Sequence, residues 1–347
     1  MSRVYLDHNG TTSLRPEARE AMLRAMNVVG NPSSVHAEGR AAKAIVETAR
    51  QQVSDATGAS GADIVFTSSA TEAAALALAD QGFLCAGVEH DCVSAWASAA
   101  LHADKNGFVR AEDPNNTALQ QVNSETGVIH TLPEGIALSD AVQAFGKIPY
   151  AFSWSGAERA IISGHKFGAP KGVGALIVRQ GIEVDARLKG GGQEMGRRSG
   201  TENVVGIAGM GAAAAAAARD VDAGLWDGVA DLRDWLEGYL SDAADDIIIF
   251  AQGVERLPNT SYFAVSGWKG ETQVMQMDLA GFAVSAGSAC SSGKVKASKV
   301  LKAMGHDENT ASSAIRISLG LETTRVEVER FAATWIEHYR RFKQRAA

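Results

Sequence analysis

The sequence predicts an α/β fold in which a mostly parallel sheet is flanked by helices, with a smaller α+β domain attached. Short apolar runs separated by turn residues alternate with helical patterns, as where residues 63–67 lead into an alanine-rich stretch ending at Ala79. Such alternation is typical of parallel sheets covered on both faces. After Pro258 the strands and helices follow one another more closely, which indicates a second, smaller unit.

The predicted elements have recognisable signals along the chain. Pro16 suits a first helical turn, so a helix is expected over 16–26, and apolar residues at helical spacing predict a second one over 38–56. Further strands are expected at the apolar runs 63–67, 83–88, 136–138, 159–162 and 173–178. Further helices are expected at 70–79, at the alanine tract 209–218 and at 225–240. The smaller unit is expected to contain elements at 260–265, 271–279, 282–285, 297–304, 314–318 and 325–342.

Composition limits the class of protein. The 347 residues are 46% hydrophobic and 21% charged, which suffices for one large or two ordinary domains and excludes disorder over most of the chain. The net charge of −7 argues against a nucleic-acid binder. There is no run of about 18 apolar residues, so no membrane-spanning helix is expected. No secretory signal is visible, and three cysteines, an odd number, indicate a cytoplasmic protein with a free thiol.

A lysine in a glycine-flanked turn is the first candidate for chemistry. Lys166 lies between the apolar runs that end at Ile162 and begin at Val173. Burial there would lower the pKa of its amine and make it a nucleophile towards an aldehyde. Taken alone, the segment leaves a solvated loop lysine as the alternative.

Two further residues extend this pattern towards a cofactor site. Asp140 ends a predicted strand, and pyridoxal phosphate needs a carboxylate that keeps its pyridinium nitrogen protonated. Thr71 opens a helix that follows a strand, and a helix N-terminus can hold the phosphate of such a cofactor. Asp140 alone could equally be a helix cap, and a threonine such as Thr71 is alone an N-cap more often than a ligand. The placement of both with Lys166 at strand ends favours a pyridoxal-phosphate site.

Cys290 is the candidate for sulfur chemistry. It lies among small and polar residues, which is not typical of a core cysteine and suits a thiol that must travel. Nearby lysines, such as Lys294 and Lys299, would favour its thiolate, the nucleophilic form. Cys85 lies in an apolar run and is expected in the core, whereas Cys92, beside His90, is left open between a core and a functional role.

In their order along the chain, these motifs resemble the cysteine desulfurases of the NifS/IscS type, which are fold-type-I pyridoxal-phosphate enzymes of the class-V aminotransferase family. The resemblance extends from Tyr5 to Gly320, nearly the whole length. Nine motifs carry it, at residues 30–36, 70–72, 89–90, 122–127, 140 with 143, 163–166, 190–194, 198–201 and around Cys290. The implied fold is that of fold-type-I pyridoxal-phosphate-dependent transferases.

The resemblance implies roles for the residues that would act on the cofactor ring and on sulfur. Lys166 would bond covalently to pyridoxal phosphate and later remove a proton from the substrate. Asp140 would pair with the pyridinium nitrogen, and Gln143 would bond the phenolic oxygen. His90 would stack on the ring and assist proton transfer, and Cys290 would take the sulfur.

The resemblance also implies how the phosphate and the substrate would be bound. The phosphate would be held by Thr71, Ser163 and His165, joined by Thr201 from the other subunit of a homodimer. Asn123 and Arg316 would fix the carboxylate of L-cysteine, the arginine through a bidentate fork. No metal site is expected, because the eight histidines do not lie at ligand spacing with the cysteines.

The implied reaction converts L-cysteine to L-alanine and leaves the sulfur as a persulfide on Cys290. A thiol on an acceptor or scaffold protein would then collect it for iron–sulfur clusters or thiolation. The large pyridoxal-phosphate domain would span 15–225. Residues 1–14 and 226–347 would together form the small domain with the cysteine loop.

Two alternatives stay open beside this hypothesis. A selenocysteine lyase would share most of the same site. A catalytically weak regulatory or partner-binding paralogue is allowed because the chain is short for the family, with losses expected between Ala79 and Asn123 and around 133–136. The presence of Lys166, Asp140 and Cys290 together argues against that paralogue, and a simple aminotransferase would not need the Cys290 motif.

Overall fold

The computed structural model describes residues 3–287 and 297–346. Cys290 and Lys294 therefore lie outside the described residues. The α-helices in the described part are α1 Pro16–Met26, α2 Ala37–Ala56, α3 Ala70–Leu78, α4 Asp91–Ser94, α5 Val204–Asp222, α6 Leu225–Ala243, α7 Gly270–Leu279, α8 Lys299–Ala303, α9 Glu308–Ser312 and α10 Arg325–Ala346. The strands are β1 Val4–Tyr5, β2 Asp63–Thr67, β3 Leu84–Ala86, β4 Ser98–Leu101, β5 Ala118–Gln120, β6 Leu138–Asp140, β7 Arg159–Ser163, β8 Gly174–Val178, β9 Ile247–Ile249, β10 Thr260–Val265, β11 Phe282–Ala283 and β12 Ala314–Ser318.

A five-stranded sheet in the order β2-β8-β7-β6-β5 forms the centre of the larger part. Strands β5, β6 and β7 are parallel, and β8 runs antiparallel to both of its neighbours. The parallel pair β3–β4 adjoins this sheet through a parallel bridge between Leu84 and Thr117. The sheet is thus mixed, with β2, β5, β6 and β7 pointing in the same direction, and it is flanked by helices, which confirms the predicted fold class.

The central strands are buried because helices cover both faces of the sheet. Every residue of β7 and β8 is buried, as expected for apolar runs covered on both faces. Helix α3 packs on one face, where its small residues contact β7 and β8. Helices α1, α2 and α5 lie together and belong to the core on the other face.

The alanine tract forms part of α5, a close-packed core helix, as the sequence predicts. Small residues let α5 approach α2 closely, since a Cβ atom at Gly211 would lie 2.6 Å from the Cα atom of Ala49. Among the helices of the described part, α5 is the one with the length and apolar composition of a membrane span. In this fold 56% of that apolar window is buried, and the helix packs against α1 and α2.

A second hydrophobic core joins both ends of the chain. Val4 and Leu6 are buried in it together with Phe263, Ile315 and Trp335. Strand β1 pairs in parallel with β11, and β10 pairs antiparallel with both β12 and β9. This second core supports the division that we propose, a large domain over 15–225 and a small one over 1–14 and 226–347.

Candidate active site

A cavity of about 360 Å³ opens at the carboxyl edge of the central sheet, where ligands of α/β proteins commonly bind. The strands β2, β5, β6 and β7 all end at this edge, and their following turns supply much of the cavity wall. Eight of the predicted site residues line it: Thr71, His90, Asp140, Gln143, Ser163, His165, Lys166 and Arg316. The structure therefore brings together residues that are far apart in the sequence.

Lys166 follows directly after β7 and reaches the cavity through a tight turn. Its Nζ atom donates hydrogen bonds to the backbone oxygens of Asn9, at 2.6 Å, and Gly10, at 2.9 Å. Burial and the nearby Arg316 guanidinium lower the pKa of the Lys166 amine to about 8. A substantial fraction of neutral amine at neutral to mildly alkaline pH makes Lys166 a competent nucleophile towards an aldehyde.

Asp140 is the last residue of β6 and is buried at the cavity wall. Its Oδ1 atom accepts a hydrogen bond from the backbone N–H of Val142 at 2.9 Å. Burial raises the pKa of the Asp140 carboxyl, and the nearby His90 and Lys166 act in the opposite direction. A cationic ring nitrogen placed against Asp140 would favour its ionised form.

The N-terminus of α3 provides the anion-binding end of the cavity. Ser69 caps the helix by accepting a hydrogen bond from the backbone N–H of Glu72 at 3.4 Å. Gly174 of β8 lies directly beneath this turn, because a Cβ atom there would be 2.7 Å from the carbonyl carbon of Ser69. The helix N-terminus and Thr71 thus line the cavity with groups suited to a phosphate.

Ser163 and His165 lie beside this anion-binding end. Ser163 ends β7 and is buried, and the Nδ1 atom of His165 lies 3.1 Å from the Thr11 hydroxyl. Burial and the charge of Lys166 lower the pKa of His165 to about 4. His165 is therefore neutral at physiological pH and would contribute to phosphate binding as a hydrogen-bonding group.

His90 caps the short helix α4 with its own side chain. Its Nδ1 atom accepts a hydrogen bond from the backbone N–H of Cys92 at 3.1 Å. Since a backbone N–H can only donate, the proton of the neutral ring lies on Nε2. The Cys92 sulfur lies 3.0 Å from the same Nδ1 atom, and burial raises the pKa of the Cys92 thiol. Cys92 is thus a protonated thiol at the cavity wall, whereas Cys85 is buried in the core, as predicted.

Arg316 projects from β12 into the cavity and links the two cores. Its terminal nitrogens donate to the backbone oxygen of Ser124 at 2.9 Å and to the Asp7 carboxylate at 2.8 Å. Its Nε atom is buried and has no hydrogen-bond partner among the described residues. A guanidinium held in this way is oriented to bind a carboxylate group.

Among the described residues, two of the predicted site residues, Asn123 and Thr201, do not line the cavity. The Asn123 side chain is buried in a turn, where Oδ1 accepts from the backbone N–H groups of Glu125 and Thr126 and Nδ2 donates to the Val88 oxygen. Thr201 is exposed on the surface of this chain. Cys290 lies outside the described residues. The roles of all three stay predictions.

The structure adds four residues that the sequence reasoning missed: Asn9, Glu89, Glu125 and Lys147. Glu89 is fully buried. Its carboxyl accepts a hydrogen bond from the backbone N–H of Gln120, the residue that pairs with Asp140 in the sheet. Glu125 accepts hydrogen bonds from Tyr262 and Ser298.

Glu89 and Glu125 lie within motifs of the resemblance, which was a usable signal. Asn9 and Lys147 lie 138 positions apart, and only the fold brings them into contact.

The residues present fit pyridoxal phosphate. One cavity holds an amine suited to an aldehyde, a carboxyl suited to a ring nitrogen and a helix N-terminus suited to a phosphate. Buried donors without partners in the described part, Arg316 Nε and Gln120 Nε2, also belong to cavity-lining residues. Lys166 would hold the cofactor covalently, Asp140 would face its ring nitrogen, and Thr71 with His165 would bind its phosphate.

Comparisons with known proteins identify the family to which the chain is similar. The model of the aminotransferase class-V family matches residues 4–331. A cysteine desulfurase IscS of Dictyoglomus turgidum is 35% identical over 361 positions, which cover 94% of this chain and 91% of that protein. Cysteine desulfurase 1 of Trichormus variabilis is 37% identical over 365 positions, with 95% and 91% covered.

Solved structures show the same relationship. A NifS-like protein from Rickettsia africae superimposes with a TM-score of 0.88 at 32% identity, covering 97% of this chain and 99% of that one. The structure of SspA in complex with cysteine gives a TM-score of 0.74 at 26% identity, covering 92% and 100%.

The sequence alignments are longer than the chain itself. Both extend over more than 347 positions, so these relatives contain residues that this chain lacks. The family match, the identities and the superpositions nevertheless cover nearly all of the chain. The chain belongs to the aminotransferase class-V family and, within it, to the pyridoxal-phosphate-dependent cysteine desulfurases.

Proposed function

We propose that this protein converts L-cysteine to L-alanine and passes the sulfur through Cys290 to an acceptor protein. The observation that carries the proposal is the placement of Lys166, Asp140 and Arg316 around one cavity. These groups supply a nucleophilic amine, a partner for a ring nitrogen and a binding site for an amino-acid carboxylate. When bound, pyridoxal phosphate supplies an electron sink for the electrons released at the substrate's α-carbon.

The residues that line the cavity have separate roles in the proposed reaction. Arg316 would bind the substrate carboxylate, and Lys166 Nζ would accept the α-proton of the substrate. His90 would lie against the ring of the bound cofactor and would donate from Nε2, because its Nδ1 accepts a hydrogen bond from the Cys92 backbone. Asp140 would keep the ring nitrogen of the bound cofactor protonated.

Sulfur transfer is assigned to Cys290. Its thiolate attacks the substrate sulfur, so an S–S bond forms as the carbon–sulfur bond breaks, and the electron pair left on carbon takes a proton to give alanine. Gly287 and Lys299, which flank the Cys290 segment in the sequence, both line the cavity. This supports access of Cys290 to the substrate sulfur. A thiol of the acceptor protein then attacks the persulfide, for iron–sulfur cluster assembly or thiolation.

We further propose a cytoplasmic homodimer in which Thr201 completes the phosphate site of the partner subunit. The segment that carries Thr201 is anchored to the cavity wall, since Arg198 pairs with Glu72 at 2.7 Å at the start of α3. Gln193 accepts a hydrogen bond from the Gly200 backbone at 3.0 Å. Thr201 itself is exposed, as a residue that acts on another subunit must be.

The first test is the activity of the purified protein loaded with pyridoxal phosphate. We expect a visible absorption band that Lys166→Ala abolishes, and alanine and sulfide from L-cysteine in the presence of a thiol reductant. Lys269→Met, at an exposed lysine bonded to Ser312, is the control and should change neither signal. Selenocysteine is assayed in parallel, because a strong preference for it would indicate the lyase instead. A loaded protein that forms no alanine contradicts the proposal.

A further inference from the structure

Lys147 is a buried lysine that the mechanism above does not use. Only 3% of the Lys147 surface is exposed. Lys147 lies in the turn after β6, seven positions after Asp140. In the described part of the chain it forms no ion pair with a carboxylate. A buried amine without such a partner is costly, so its position calls for a specific explanation.

The Lys147 amine forms hydrogen bonds with two side-chain amide oxygens. Its Nζ atom donates to Oε1 of Gln143 at 2.5 Å and to Oδ1 of Asn9 at 3.1 Å. A lysine amine carries at least two N–H groups in either protonation state, so it can serve both oxygens at once. Each amide turns its oxygen towards Lys147 and its nitrogen away from it.

Lys147 and the backbone oxygen of Asn9 together fix the orientation of Gln143. Its Nε2 atom donates to the backbone oxygen of Asn9 at 3.0 Å, and Gln143 lines the cavity. The second N–H group of this amide is not used by the hydrogen bond to Asn9. Gln143 thus presents the cavity with a hydrogen-bond donor, whereas the flipped amide would present a carbonyl oxygen.

The orientation of Asn9 follows in the same way. Its Oδ1 atom also accepts from Asn259 at 3.1 Å, and its Nδ2 atom donates to the Thr260 hydroxyl at 2.8 Å. Its backbone oxygen accepts from both Gln143 and Lys166. Lys147 therefore fixes the residue whose carbonyl holds the nucleophilic amine.

We propose that Lys147 is a positioning residue that holds Gln143 as a donor towards the phenolic oxygen of bound pyridoxal phosphate. This inference rests on the proposed function, since it requires the cofactor in the cavity. The charged groups that act on Lys147 in this region are Lys166 and Arg316, and Lys147 in turn acts on His8 and His165. The experiment below separates such a charge effect from an effect through Gln143.

The test is the pH titration of the visible absorption band of the bound cofactor in the holoenzyme. A donor to the phenolic oxygen stabilises its negative charge and so favours loss of the proton on the nitrogen that links the cofactor to Lys166. We expect Lys147→Met to move the midpoint of the titration to higher pH by roughly one unit. Gln143→Leu should cause a shift of similar size, and Lys269→Met, the surface control, should cause none.

The double variant distinguishes the two explanations. If Lys147 acts through Gln143, then Lys147→Met adds no further shift in the Gln143→Leu protein. Additive shifts would show a direct charge effect and would overturn the inference, as would an unchanged midpoint in Lys147→Met. Lys147→Gln keeps an N–H donor without the charge, so we expect it to shift the midpoint less than half as far.

Two controls keep the outcome decisive. If Lys147→Met does not fold, Lys147→Gln and Gln143→Leu decide, and a full shift in Lys147→Gln contradicts the inference. A wild-type protein without a Lys166-dependent band contradicts the proposed function and this inference with it. If the wild-type protein shows the band and Lys147→Met leaves the midpoint of its titration unchanged, only this inference is overturned.

Discussion

At the scale of single residues, burial and neighbouring charge decide which groups around Lys166 hold a proton. Burial and Arg316 lower the pKa of the Lys166 amine to about 8. Burial and the neighbouring lysines lower the pKa of His165 to about 4, whereas burial raises the pKa of Asp140. The cavity thus combines a partly neutral amine with a neutral imidazole near its anion-binding end.

The shifted pKa of Lys166 predicts how cofactor uptake depends on pH. Only the neutral amine attacks an aldehyde, so the uptake rate of the cofactor-free protein should rise with pH and level off above about pH 8. Arg316→Gln removes a neighbouring positive charge, which raises the pKa of Lys166 and moves the midpoint to higher pH. Stopped-flow absorbance after mixing with pyridoxal phosphate measures both curves. A midpoint that Arg316→Gln leaves in place would contradict the assigned cause.

Asp140 offers a second test at this scale. Asp140→Asn keeps the size of the side chain and removes the charge that would face the ring nitrogen. We expect the rate of alanine formation to fall by about 10- to 100-fold, because a hydrogen bond to a charged group contributes about 1.5–3 kcal/mol. Asp185→Asn, at an exposed aspartate, is the control. Full activity in Asp140→Asn would show that Asp140 does not act on the cofactor.

The site residues differ in how well the sequence predicted them. Lys166, Asp140 and Thr71 lie at strand ends or helix starts, where local pattern and chemistry coincide. Asn9 and Lys147 could not be found in this way, because their contact joins residues 138 positions apart. For Asn123, residue type does not reveal that a turn already uses its side-chain oxygen.

At the scale of secondary structure, segments with a helical period or a clear apolar run were predicted well, whereas short strands without such a pattern were not. Helix α2 and strands β2 and β10 lie where periodicity and composition place them. Strand β5 has three residues, too few to show a period, and β4 is largely exposed and lacks an apolar run. Such strands form because a neighbouring strand pairs with them, which is a property of the whole sheet.

The close packing of α5 on α2 predicts opposite effects for one substitution at two glycines. A Cβ atom at Gly211 would lie 2.6 Å from Ala49 Cα, so Gly211→Ala forces the helices apart. We expect its free energy of unfolding to fall by about 1–3 kcal/mol. Gly228 in α6 has open space around it, and Gly228→Ala should be neutral or should raise stability by up to about 1 kcal/mol. Denaturant unfolding measures both, and a stable Gly211→Ala protein would contradict this packing.

At the scale of the whole molecule, residues from both ends of the chain complete a site built on the central sheet. Asn9 and Arg316 belong to segments packed with the second core, yet both line the cavity. Arg316 is held by Asp7 from one end of the chain and by Ser124 from the larger part. The relative placement of the two cores therefore determines the geometry around Lys166.

The proposed homodimer predicts complementation between two defective subunits. Thr201→Ala should weaken cofactor binding by about tenfold, the effect of losing one hydrogen bond to phosphate. Mixed dimers of Thr201→Ala and Lys166→Ala subunits pair an intact Lys166 with an intact Thr201 at one of their two sites. We expect that site to regain wild-type cofactor affinity, measured by absorbance titration of the purified heterodimer. No recovery would show that Thr201 acts within its own subunit or not at all.

The most direct test of the central claim is a single turnover without an acceptor. The cofactor-loaded protein is mixed with L-cysteine in the absence of reductant, and alanine and protein-bound sulfur are quantified together, the latter by peptide mass spectrometry. We predict one alanine per active site and one additional sulfur atom on the peptide that contains Cys290. Cys290→Ser should lose that sulfur. Absence of alanine, or sulfur bound at Cys92 instead of Cys290, would contradict this account.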